Sequence, residues 1–351
     1  MSGSQDGNKM IWTTNLRVVA TISVIFLHVA SEILYQYGCV SNFVWWTANV
    51  YDSLVRFCVP IFVMLTGVLM LSRTYELNDF LKKRFSRIVL PFLFWSFIYA
   101  MFSLNDKISG GQEMSFGEII KWVFDLLRNG SSFHLWYIYM IIGIYLFIPI
   151  ISKWAQNATE KEILYFIFIW GLTLLINEPI FSEFRIRIDL AYFSGFIGYV
   201  VLGYYLSIKS FTYSKRMLRI ISVLLIFIGV SVTIFGTYYL AIIDNNFNEY
   251  FYNYSTLNVL MVSIGVFLFF KNLEISNSIV IKINNLISKY SYGIYLVHIL
   301  ILRFMEKIMG IDYDFIHPIF AIPLATLVCL LISTLIIYWI NRLPYGKYIS
   351  G

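Results

Sequence analysis

Apolar runs of about 17–25 residues, the length that crosses a bilayer as a helix, follow one another along the chain with short polar segments between them. Ten such runs stand out, at roughly 14–37, 47–71, 88–104, 135–152, 162–177, 190–208, 218–240, 255–270, 290–306 and 317–340. The pattern predicts an all-α, polytopic membrane protein with about ten transmembrane helices. No internal repeat or low-complexity linker divides the chain, so residues 1–351 read as one integral membrane domain. The longest polar interval, 105–134, contains a second pattern. Phe116, Ile119, Ile120, Val123, Phe124 and Leu127 recur at helical spacing, with Glu118, Lys121 and Asp125 between them. This predicts an amphipathic helix, either lying on the membrane surface or capping a cavity, or packed on the bundle as an ordinary loop helix.

Composition agrees: 59% of the 351 residues are hydrophobic and 13% charged, with a mean hydropathy of +0.73. Soluble domains carry about a quarter charged residues, and an aqueous fold of this size has too much surface to cover with so few. Disorder, a nucleic-acid-binding module and a disulfide scaffold are excluded on the same grounds. Cys39, Cys58 and Cys329 lie in or beside apolar runs and read as small buried hydrophobes. The net charge of +6 reflects basic cytoplasmic loops rather than a nucleic-acid partner. With the N-terminus inside, 17 of the 26 Lys and Arg fall on the cytoplasmic side; six, Lys107, Lys121, Arg128, Arg185, Arg187 and Lys307, fall opposite. The other three, Arg17, Arg56 and Arg303, lie within or at the edge of helices. This asymmetry predicts an N-in, C-in topology. A cleaved signal peptide over 9–30 is disfavoured, because Arg17, His28 and Glu32 interrupt the run and no small-x-small site follows.

Ionisable groups inside a span are costly and face the bundle interior. Arg17 and His28 are 11 residues apart, which brings a helix back to within about 20° of the same face, with roughly 16 Å between them along the axis. Glu32 follows one turn later, within reach of the imidazole. A neutral histidine can take a proton from a hydroxyl, and a carboxylate can fix its tautomer. A structural His–Glu pair is the alternative. In the second run Asp52 and Arg56 are four apart and precede Val59-Pro60-Ile61-Phe62 and Thr66-Gly67. Buried Arg56 needs an anion, either Asp52 or Glu32, for packing or for catalysis, and Pro60 breaks the helix ladder.

The loop Lys82-Lys83-Arg84-Phe85-Ser86-Arg87 is either the strongest positive-inside signal or a site for a multiply phosphorylated cytosolic ligand. His134 opens the aromatic run Leu135-Trp136-Tyr137 and fits an outer aromatic belt. His298 lies within the ninth run, and His317, before Pro318, reads as a helix-start residue. No histidine has paired metal-ligand spacing, so no metal is expected. A Gly-rich phosphate loop, a nucleophile elbow and an HExxH motif are missing from the sequence.

Asn15-Leu16-Arg17, ten residues and then His28 resembles the Arg-x10-His signature of the acyltransferase 3 family of membrane O-acyltransferases. Further segments fall in the family's order. Arg56-Phe57-Cys58-Val59-Pro60-Ile61-Phe62 with Thr66-Gly67 is similar to its Arg/Glu-Phe-x-Val-Pro-x-Phe…Ser-Gly block, with Thr for Ser. The stretch from Lys82 to Pro91 resembles its basic loop and Ile-x-x-Pro helix start. Phe133-His134-Leu135-Trp136-Tyr137 resembles its His-Leu-Trp-Phe segment, and Ser291 to His298 its Ser-x-Gly-Ile-Tyr-Leu-x-His segment. Together these cover nearly the whole chain and look closest to the enterobacterial common antigen O-acetyltransferase subgroup.

The resemblance implies a ten-helix enzyme of the bacterial inner membrane. It would move an acyl group, usually acetyl from cytosolic acetyl-CoA, onto a hydroxyl of a cell-surface glycan or its lipid-linked precursor. Acetyl-CoA is then a donor substrate, and no cofactor is held permanently. His28 would be the catalytic histidine and Arg17 its partner, with Arg17, Lys82, Lys83, Arg84 and Arg87 near the CoA phosphates. Arg56, His134, Trp136 and His298 enter as substrate-binding candidates. The distance from Arg17 to His28 suits a pantetheine arm threading inward. Glu32 is added from spacing alone. His28 would act as base toward the acceptor hydroxyl or carry the acetyl group itself. An exporter of polysaccharide or small molecules is the competing reading, and a non-catalytic assembly subunit a third.

Overall fold

The computed structural model describes residues 3–176, 178, 195–311 and 315–351. Arg185, Arg187 and the stretch 190–194 of the sixth expected run lie outside the described residues. The described elements are helical: α1 (Gly3–Leu34), α2 (Asn42–Val55), α3 (Cys58–Met70), α4 (Leu77–Arg84), α5 (Leu90–Ser109), α6 (Phe116–Asn129), α7 (Trp136–Asn157), α8 (Glu160–Ile176), α9 (Ile197–Ile208), α10 (Lys215–Asp244), α11 (Leu257–Lys271), α12 (Ser278–Phe304), α13 (Pro318–Arg342) and α14 (Lys347–Ser350). Among the described residues, seven stretches are long and apolar enough to cross a membrane: 11–34, 42–70, 77–109, 133–157, 215–244, 250–271 and 318–342. The ten expected runs thus yield seven such helices. Of the other three, α8 has only 17 residues and α9 only 12. The third, α12, is long but carries Asn284, Asn285, Ser288, Lys289, Ser291 and Arg303, so its hydropathy is diluted by polar groups, of which only Ser288 and Ser291 are buried.

The helices are apolar on the outside. On α13, Phe320, Leu324, Leu327, Leu331, Leu335 and Trp339 form one exposed stripe, while Ala321, Ala325, Cys329 and Ser333 face inward. Lipid tails solvate the large side chains as well as a core does, so small residues go where backbones must approach. Where α3 meets α9, a Cβ on Gly67 would lie 1.9 Å from the Val200 carbonyl oxygen, and one on Gly203 2.3 Å from that of Met64. Only glycine permits that separation. This is an integral membrane bundle.

At its centre α1 packs against α2, α3, α11, α12 and α13. α1 and α12 run parallel in matched register. Asn284 donates to Asn15 across 2.8 Å at one end, and the rings of His28 and His298 meet about 20 Å further along both helices.

Two expectations need correction. The basic stretch is not a loop: α4 is capped by Glu76, whose carboxylate accepts from the Asp79 N–H at 2.9 Å, and passes through a π-turn at Phe85–Val89 into α5. The wider turn lets the Leu90 N–H reach the Phe85 carbonyl, absorbing the N–H that Pro91 lacks. Cys39 is exposed, because α1 has ended and the chain is turning there; Cys58 and Cys329 are buried as expected. The apolar arc of α6 is only partly covered. Ile119, Trp122, Val123 and Leu126 are half-buried, but Phe116, Ile120 and Phe124 are exposed. Its start is a capping box between Ser115 and Glu118.

Candidate active site

The interior stripe of α1 carries the site. Thr21, Val24 and Ile25 lie between Arg17 and His28 at helical spacing and line a narrow cavity, too tight to admit a water molecule, with Phe62, Tyr295 and His298. Beyond His28 a second, wider cleft opens, with a cavity volume of about 70 Å³, lined by His28, Glu32, Phe133, Arg303 and Glu306 among others. Glu32 therefore sits at the same cleft as His28, on its exposed side. The His28 ring packs on Phe133, His134 and His298, at centroid distances of 5.2, 6.4 and 5.3 Å.

His134 is not part of an aromatic belt. It is buried in a 3-10 turn, Phe133–Leu135, that leads into α7, with its ring 5.2 Å from Tyr99 and 5.1 Å from His298. Its Nδ1 lies 3.0 Å from the Ser132 hydroxyl, and the Tyr295 hydroxyl donates to its carbonyl. His298 is fully buried, with Nδ1 2.6 Å from the Tyr295 carbonyl oxygen. In both histidines Nε2 is buried without a hydrogen-bond partner among the described residues. Three of the four histidines thus converge. His317 stays apart as the N-cap of α13, accepting from the Ile319 N–H. Trp136 is also outside the cluster; it stacks on Tyr254 at 5.8 Å and is 41% exposed.

Asp52, rather than Glu32, is the partner of Arg56: Nη2 to Oδ2 is 2.6 Å, with Asp52 fully buried and Arg56 13% exposed. The guanidinium lies 4.2 Å over the Tyr252 ring. The helix breaks between α2 and α3 beside this pair, because Pro60 cannot donate to the Arg56 carbonyl and its ring crowds it. Arg56 also lies within electrostatic range of His28.

At the Arg17 end the basic residues separate. Lys82, Lys83 and Arg87 are exposed, whereas Arg84 points inward, with its Cζ 5.2 Å from the Tyr145 ring. Arg17 is also within electrostatic range of Tyr145. Neither arginine forms an ion pair among the described residues, and the Arg84 Nε is buried without a partner. Two inward cations without carboxylates suit an anionic ligand.

Sequence reasoning gave no role to Ser132, Phe133, Tyr295 or Glu306, although Phe133 and Tyr295 lie in segments that carry the family resemblance, and placed Arg303 within or at the edge of a helix. Tyr295 stands three before His298, one helical turn away, which was the available signal. Nothing in the spacing marks Arg303 and Glu306.

The sequence pattern of the family described as "Acyltransferase domain" matches residues 10–340 of this chain. A Bacillus subtilis (strain 168) protein named "Putative membrane-bound acyltransferase YfiQ" is 26% identical over 157 residues. That stretch covers 44% of this chain and 42% of the relative, so less than half of each is aligned. No solved structure matches the chain.

Proposed function

The chain belongs to the acyltransferase 3 family, described as an acyltransferase domain, and on that premise we propose that this membrane acyltransferase is an acyl-CoA-dependent O-acetyltransferase. It moves acetyl from cytosolic acetyl-CoA to a hydroxyl of a cell-surface polysaccharide or its lipid-linked precursor in the bacterial inner membrane. One observation carries the reading: α1 presents Arg17 and His28 on a single face, and cavities approach the histidine cluster from both of its sides. The Arg17 end is taken as cytoplasmic, in an N-in, C-in bundle of ten helices. The resemblance to the enterobacterial common antigen subgroup supports a glycan acceptor.

The donor's phosphates sit between Arg17 and Arg84, and its pantetheine arm runs along Thr21 and Val24 toward His28. The acceptor enters by the wider cleft, where Glu32, Arg303 and Glu306 offer hydrogen bonds to sugar hydroxyls. His28 removes the hydroxyl proton, the oxygen attacks the thioester carbonyl, and the C–S bond breaks to release CoA. Arg56, within electrostatic range of His28, is the cation assigned to polarise the carbonyl oxygen.

Arg84 is expected to matter more than its neighbours. A hydrogen bond to a charged group is worth about 1.5–3 kcal/mol, so Arg84→Ala raises the KM for acetyl-CoA roughly 10- to 150-fold. Exposed Lys82→Ala, Lys83→Ala and Arg87→Ala each change it less than about fivefold, the range of surface charges. Steady-state kinetics of the four variants checks this.

The reading itself is tested with the full chain in nanodiscs, acetyl-labelled acetyl-CoA and an envelope glycan fraction. Label on the glycan supports it. An exporter instead moves glycan in cells while the purified protein neither binds nor cleaves acetyl-CoA, and that result overturns the enzyme.

A further inference from the structure

His28 and His298 touch each other but open onto different cavities: His28 onto the wide cleft, His298 onto the narrow cavity on the Arg17 side. Their rings are 5.3 Å apart and tilted by 32°. The tautomer of His298 follows from its neighbour. A carbonyl oxygen only accepts, so Nδ1, 2.6 Å from the Tyr295 carbonyl, carries the hydrogen and Nε2 is a bare lone pair. That lone pair is buried without a partner among the described residues. Leaving a buried acceptor unmade costs about 1–3 kcal/mol, a cost that is recovered when a hydrogen-bond donor arrives there.

The narrow cavity also sets a requirement. Its walls include Val24, Ile25, Phe62 and Ile294, and an unpaired thiolate among such groups is expensive. CoA released there needs a proton, and His28 faces the other cavity.

We propose that His298 is the donor-side proton relay of the transfer, an inference that rests on the acyl-CoA reading above. The acceptor hydroxyl gives its proton to one nitrogen of His28. The other nitrogen of His28 passes its proton to Nε2 of His298, which delivers it to the departing sulfur. One O–C bond forms, one C–S bond breaks, and one proton moves in net from oxygen to sulfur. His298 returns to its starting tautomer, and His28 resets by proton exchange at the open cleft. The two rings are not hydrogen-bonded to each other here; such contacts commonly tighten only with substrate bound.

The test uses leaving groups. The full chain in nanodiscs made with its own cells' lipid extract is given acetyl-CoA or acetyl-seleno-CoA, and release of thiol or selenol is followed. A selenolate departs readily without a proton. His298→Asn keeps a side-chain N–H for the Tyr295 carbonyl but lacks Nε2. With acetyl-CoA it is expected to lose roughly 10²- to 10⁴-fold in kcat, with KM for the donor unchanged, and with acetyl-seleno-CoA to return within about tenfold of wild type. His28→Asn stays inactive with both donors. His298→Gln, checked by thermal unfolding, repeats the measurement if His298→Asn does not fold. An equal loss with both donors, or no loss, overturns the relay while leaving the acyltransferase reading intact. Wild-type protein that cleaves neither donor removes both.

Discussion

His28→Ala is expected to lower acetyl transfer by about 10²- to 10⁴-fold, the usual contribution of a positioned general base, while the protein folds and still binds acetyl-CoA. The ring is half-buried at the edge of an open cleft, so its loss leaves space that solvent or lipid can fill rather than a closed core void. The donor's charged end is held some 16 Å away at Arg17, beyond the influence of the missing imidazole. The measurement is kcat with labelled acetyl-CoA alongside equilibrium binding of CoA and the unfolding temperature in detergent. Loss of binding together with activity would mean that His28 shapes the donor site. Full activity would remove it from the reaction.

Asp52→Ala should be the most destabilising single change among the charged residues. It leaves the Arg56 guanidinium buried and unpaired, which costs about 3–5 kcal/mol. The cost comes from desolvation without compensation, so removing both charges is far milder: Asp52→Leu with Arg56→Met is expected to be close to neutral in stability. Unfolding of the two variants in mixed micelles measures the difference. The double variant also separates two roles. If it is stable and inactive, Arg56 acts on the reacting carbonyl; if it is stable and active, the pair serves packing alone.

Much of the site was legible one helix at a time. The 11-residue interval between Arg17 and His28 specifies a shared face whatever surrounds it, and the four-residue spacing of Asp52 and Arg56 offers an ion pair, though the structure was needed to choose Asp52 over Glu32. The helical spacing from Phe116 to Leu127 marks α6, and His317 before Pro318 marks the start of α13. These are local rules, satisfied within a turn or two of backbone. The basic stretch was misread as a loop because polar composition resembles a loop when the helix that carries it emerges from the membrane.

What the sequence determined by itself is therefore the membrane class, the helical architecture and the inward stripe of α1. Only the tertiary structure decided that His134 and His298, more than a hundred residues away in the chain, join His28. It alone turned Arg84 inward while leaving Lys82, Lys83 and Arg87 outside, and it set the two cavities on opposite sides of the cluster. The physical reason lies in the solvent. In water an apolar stripe marks the buried face of a helix. In a bilayer every face is apolar enough, and helix rotation follows from close packing of small residues such as Gly67 and Gly203 and from pairing of the few polar groups. Neither can be read until the neighbouring helix is known.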